Sequence, residues 1–107
     1  MPIARTWSGA TRAADADAYL EYLRSTGLRD YAETPGNEGI VCLRRLDGDH
    51  AEFMILTLWQ DRRAIEAFAG PDVARAVFYP EDESFLVQRD ELAGHYEVVF
   101  STLPPGR

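Results

Sequence analysis

Cysteine, histidine and positive charge are all scarce in this sequence. The single Cys42 excludes an intrachain disulfide and a cysteine-built metal site, and its place inside an apolar run suits a buried small hydrophobe. Two histidines, His50 and His95, offer no HxxxH-type metal spacing, and neither a nucleophile triad nor a phosphate-binding glycine loop is present. No metal is therefore expected. Eleven basic residues face 18 acidic ones for a formal charge of −7, so a polyanion is repelled at long range and nucleic acid is not the expected partner. The longest largely apolar run, Phe53 to Trp59, falls far short of the roughly 20 residues that cross a bilayer. No basic leader with an apolar core precedes it. The expectation is a cytoplasmic protein that makes no use of a membrane.

The 107 residues, 46% of them hydrophobic, suffice for one core and not for two. A single domain over 1–107 is expected, ordered from about 3 to 100, with a loose tail at 101–107 where Pro104-Pro105-Gly106 falls. Its organising stretch is Ala51 to Gly70, a strand handing over to a helix. Phe53, Ile55, Thr57 and Trp59 alternate with Met54, Leu56 and Leu58, so both faces of this strand are apolar. Asp61 supplies an N-cap, and Ile65 and Phe68 fall at helical spacing beyond it. In a two-layer domain the chain's own helices cover one sheet face, so the other must meet something else, most simply a second copy.

Around this stretch the remaining elements fall in order. Ile3 to Gly9 reads as a first strand, with Arg5 and Trp7 on one face. Ala4, Thr6 and Ser8 form a small-residue face that would leave room beneath a helix, for a ligand or for close helix-sheet packing. Ala16, Tyr19, Leu20 and Leu23 mark an amphipathic helix from Ala13 to Thr26, with Thr11 or Asp15 as caps and Gly27 as its stop. Arg29 to Glu38 is expected to be a loop turning at Thr34-Pro35-Gly36-Asn37. Ile40 to Leu46 is a second strand, and Asp47-Gly48-Asp49 a hairpin turn with His50 exposed beside it. Beyond Gly70-Pro71 a further helix is expected from about Asp72 to Phe78, burying Val73, Ala76 and Val77, and Pro80 opens another turn in which Glu81, Asp82 and Glu83 suit a helix N-terminus. Gly94 to Phe100 is the last strand. The order predicts an α+β, ferredoxin-like βαββαβ fold with an antiparallel four-stranded sheet.

This order, the PGN loop (Pro35, Gly36, Asn37), the strand ending LTLW (Leu56 to Trp59) and the helix containing AIEAF (Ala64 to Phe68) together resemble the antibiotic biosynthesis monooxygenase family of dimeric α/β barrels, over about Ile3 to Phe100. The resemblance implies a homodimer whose sheets face each other, with a pocket between sheet and helices in each subunit. It also implies a cofactor-independent monooxygenase that oxidises a small hydrophobic aromatic or phenolic ligand without any cofactor. Such chemistry asks for a dry aromatic cavity, a group to take a proton and a donor to hold an enolate oxygen. His95 is the candidate base, Tyr79 the hydrogen-bond donor and Arg5 the holder of an anionic oxygen, with Thr6, Trp59, Phe68 and Phe78 as binding residues. A non-catalytic ligand-binding or regulatory dimer of the same fold, and an oxygen-independent isomerase or cyclase, remain alternatives. Heme-degrading members of the family share an Asn on the first strand, a Trp in the helix after the central strand and an iron-binding His. The corresponding positions here are Thr6, Phe68 and Phe78, and the only Asn is Asn37, so heme degradation is not expected.

Overall fold

A computed structural model describes residues 2–103, so of the expected loose tail only the part up to Leu103 can be compared and 104–107 lie outside the described residues. The elements are β1 (Ile3–Arg12), a 3-10 turn (Ala13–Asp15), α1 (Ala16–Ser25), α2 (Gly27–Glu33), β2 (Asn37–Asp47), β3 (His50–Trp59), α3 (Arg62–Ala69), α4 (Asp82–Phe85), β4 (Leu86–Arg89) and β5 (Gly94–Glu97). All strand pairs are antiparallel, in the order β2-β3-β1 with β4 and β5 sharing the outer edge of β1. The expected fourth strand is thus divided. β4 pairs Gly9 to Thr11 and β5 pairs Ile3 to Thr6. The register sets Ile3 opposite Glu97, so beyond Val98, whose N–H reaches Pro2 O, the chain has overrun the end of β1 and Val99 and Phe100 stand exposed. That is why β5 stops short of the expected Phe100.

Alternation along β3 decides the two faces of the sheet. Ala51, Phe53, Ile55, Thr57 and Trp59 are buried under the helices, together with Trp7, Tyr19 and Ile65. Each fully buried large apolar side chain among them contributes about 1.5–3 kcal/mol. On the opposite face Val41, Leu43 and Met54 are exposed. Thr6 pairs with Leu56 and Ser8 with Met54, so the Ala4-Thr6-Ser8 face lies on this open side. The expected room beneath a helix is not there; the helices cover Arg5 and Trp7 instead.

The helical layer departs from expectation at three places. The first helix is broken at Thr26, whose hydroxyl takes up Tyr22 O, and Gly27 opens α2 where a loop was expected. Gly27 and Tyr31, four apart, supply its buried side. The expected helix from Asp72 to Phe78 is absent. Its backbone bonds run sideways, from Ala76 N to Glu91 O and from Ala93 N to Ala74 O, while Arg5 takes the carbonyls of Val73 and Arg75. The third difference is at Asp82, which opens α4 with Glu83 beside it, as expected of an acid at a helix N-terminus, but also turns its carboxylate inward to Tyr19. Other signals hold: Asp61 accepts from Ala64 N at 2.9 Å, and the Pro35-Gly36 turn packs on α3 with Gly36 at φ 93°. A Cβ at Gly36 would lie 2.4 Å from that of Ala64.

Candidate functional site

The register places Thr57, Arg5 and His95 in one row across the sheet, on the face that the helices cover. Thr57 is tied down on both sides: its hydroxyl donates to Arg5 O at 3.3 Å and accepts from the Trp59 indole at 2.7 Å. Arg5 is only 2% exposed. One terminal nitrogen donates to Arg75 O at 3.0 Å and more weakly to Val73 O at 3.5 Å. Its guanidinium carbon stands 5.8 Å from the centre of the Phe68 ring, and no carboxylate of the described residues forms an ion pair with it. A buried cation without a counter-charge is costly, and here its Nε also lacks any partner. His95, directly opposite, has a buried Nε2 with no partner either. Burial first, then the nearby Arg5 and Arg62 charges, lower its pKa from 6.5, so the imidazole is neutral at pH 7.

Arg5 borders the inner of two adjoining spaces, and the outer one lies beyond it. The inner one, a cavity of about 20 Å³, is bounded by Arg5, Tyr19, Tyr31, Val77, Tyr79 and Asp82 among others. It has room for about one water. The outer one is an open cleft of about 380 Å³ between α2, α3 and the extended segment, with Asp30, Glu33, Phe68, Val77 and Tyr79 in its walls. Val77 and Tyr79 belong to both spaces and separate them. The Tyr79 phenol donates to Asp30 at 2.5 Å, and its backbone N–H donates to the Asp82 carboxylate at 2.6 Å. Tyr19 donates to the other Asp82 oxygen at 3.2 Å. Burial, and then the neighbouring carboxylates, raise the pKa of Tyr19 and Tyr79 above the ordinary phenol value, so both remain hydrogen-bond donors at neutral pH. Burial likewise raises Asp82, against the bonds from Tyr79 and Tyr19 that favour its charged form. Tyr31 is raised by burial while the adjacent Arg5 charge pulls it back.

Of the residues expected to form a site, the fold brings Arg5, His95, Tyr79, Trp59 and Phe68 into one neighbourhood. Trp59 is fully buried as a wall behind Tyr31 and Phe68, with ring centres 6.1 and 6.0 Å away. Thr6 and Phe78 do not join them. Thr6 is on the open sheet face, and the Phe78 ring packs edge-on against Trp7 and under the Arg89 guanidinium, 4.3 Å from its centre. Sequence reasoning misses Tyr19, Asp30, Tyr31 and Asp82 as site neighbours. Tyr19 is visible as part of an apolar stripe, but nothing local marks Asp30 or Tyr31, because α2 itself is not expected.

Together these elements define the ferredoxin-like fold found in antibiotic biosynthesis monooxygenase-type proteins, with a polar row under an aromatic wall. Among solved structures, a protein of unknown function from Nitrosomonas europaea is similar at 16% identity, covering 98% of this chain and 96% of its own, with TM-score 0.72. SnoaB, a cofactor-independent oxygenase from Streptomyces nogalater, is similar at 18% identity over 95% and 98% of the two chains, TM-score 0.60. MhuD, a heme-degrader from Mycobacterium tuberculosis, is similar at 24% identity over 94% and 98%, TM-score 0.53. No protein-family model matches the sequence, and no curated protein does either. No helix among the described residues is long and apolar enough to cross a membrane.

Proposed function

We propose that this protein is a cofactor-independent monooxygenase for a small phenolic or enolic aromatic substrate, acting as a homodimer. The observation that carries the reading is the pair of partnerless buried nitrogens, Arg5 Nε and His95 Nε2, on facing positions of adjacent strands. Such atoms are rare in folded proteins and call for a ligand group that completes them. A phenol does so: its oxygen settles on Arg5, its proton passes to the neutral His95, and the anion formed is held by the guanidinium. The electron-rich anion then reacts with oxygen, one atom entering the substrate and the other leaving as water. SnoaB, of the same fold, is a cofactor-independent oxygenase, which agrees with this chemistry.

The outer cleft has the volume of a small-molecule site, and Phe68 and Val77 give it apolar walls for a ring. Tyr79 is already committed to Asp30, so the anion-holding role falls to Arg5. The bare sheet face, with Val41, Leu43 and Met54 exposed, suits the face-to-face packing of two copies. A lone Cys42 without a disulfide partner suits the reducing cytoplasm. Heme chemistry fits these residues poorly, because Phe78, at the position corresponding to the iron-binding His, packs its ring on Trp7 and Arg89 and has no lone pair to offer as an axial ligand. Oxygen uptake with a panel of polycyclic phenols tests the reading. Uptake coupled to quinone formation supports it, anaerobic conversion points to an isomerase, and a melting shift without conversion points to a binding protein.

A further inference from the structure

We propose that Tyr79 is the gate of the inner cavity, and that Asp30, which holds it shut, makes the outer cleft a filter that admits neutral molecules and turns anions away. The proposal rests on the oxygenase reading of this site and adds how a ligand enters and in which protonation state. The geometry is that of two spaces with a shared wall. The cleft of about 380 Å³ and the cavity of about 20 Å³ both meet Val77 and Tyr79, and Arg5 lies only on the inner side. The ring of Tyr79 lies against Gly27 of α2, where no side chain intervenes. Its backbone is pinned from both directions, at Ala76 by Glu91 O and at its own N–H by Asp82. Swinging the side chain aside therefore breaks one bond, that from the phenol to Asp30, and leaves the backbone in place.

Charge gives the filter its sign. Asp30 and Glu33 reach the cleft from α2, and no basic side chain of the described residues lines it. Arg29 pairs with Asp30 at 3.4 Å from the solvent side, and Asp82 faces Tyr79 from α4. An approaching carboxylate or phenolate meets this acidic rim, whereas a neutral phenol meets Phe68, Val77 and Pro35. The substrate thus enters as the acid and is ionised only beside Arg5. Because a hydrogen bond to a charged group holds the gate, its loss should raise the open population about tenfold or more.

The test uses small quenchers without specific affinity, which reach the inner space only when the Tyr79 ring swings out and joins it to the cleft, read on the fluorescence of Trp7, which lines the inner cavity, and of Trp59 behind it. Tyr79→Phe, and independently Val77→Ala, should raise the acrylamide quenching constant severalfold over wild type. Asp30→Asn keeps an oxygen that accepts the phenol in a weaker, neutral bond, so acrylamide quenching should rise less than in Tyr79→Phe, while the ratio of iodide to caesium quenching rises. Wild-type acrylamide quenching in both wall variants would overturn the gate. An unchanged iodide-to-caesium ratio in Asp30→Asn would overturn the filter. Oxygen uptake by the wild-type protein is read separately, so a failed oxygenase reading and a failed gate give different results.

Discussion

Replacing Arg5 with methionine should separate stability from function. Arg5→Met forfeits the charge-assisted bond to Arg75 O, worth about 1.5–3 kcal/mol. The bond to Val73 O at 3.5 Å adds little, and the contact with Phe68, near the 6 Å limit of such interactions, adds about 0.5–1 kcal/mol. Against this stands the removal of a cation that is 2% exposed and without a counter-ion, whose desolvation costs several kcal/mol. The opposing terms are of similar size. The variant should lie within about 1 kcal/mol of the wild type, or be up to ~2 kcal/mol more stable, since exchanging buried charge for a well-packed apolar side chain is often neutral or favourable. Turnover should respond quite differently, because losing one preorganised oxyanion donor lowers kcat by about 10²–10³. Urea unfolding gives the first quantity and oxygen uptake with a phenol the second. A loss of more than about 3 kcal/mol would show that Arg5 is there to fasten the 73–76 segment, and undiminished turnover would remove it from the chemistry.

The neutral imidazole of His95 sets an acid limb. Because its pKa is lowered from 6.5, kcat/KM should stay level on going below pH 6.5 and fall as the pH passes through the folded-state value; His95→Gln should abolish that limb and cost about 10² in rate, as a pH profile would show. The same shift contributes stability that is present above pH 6.5 and lost as pH falls through the lowered pKa, so the urea midpoint of the wild type should drop there while that of His95→Gln drops less. Sedimentation should find a wild-type dimer burying on the order of 2,000 Å² or more through the open face, and Leu43→Glu should give monomers; a wild-type monomer at micromolar concentration would refute the pairing. Added heme should give no sharp axial-histidine spectrum and should survive reductant and oxygen; specific loss of its Soret band with release of iron would reverse that reading.

Much of the fold is legible in the sequence because its signals are local. Strict alternation from Phe53 to Trp59, the Asp61 cap and the Gly48 turn each act within a few residues, and each element is found where these marks put it. The open sheet face can also be read, since a strand apolar on both sides in so small a chain leaves one side bare. Asp72 to Phe78 goes the other way: its apolar spacing permits a helix, but its hydrogen bonds go to residues 91 and 93 and to the Arg5 guanidinium, partners that exist only once the chain has folded. The site divides along the same line. Arg5 and His95 are visible as candidates, yet only strand register makes them neighbours and only the helices overhead leave their nitrogens unpartnered. Tyr79 reads from sequence as a donor to substrate, and tertiary structure gives its phenol to Asp30 on a helix hidden behind the break at Thr26. Residue types and short periods fix what each segment can form; which buried polar atom finds a partner is decided by contacts between segments far apart in the chain.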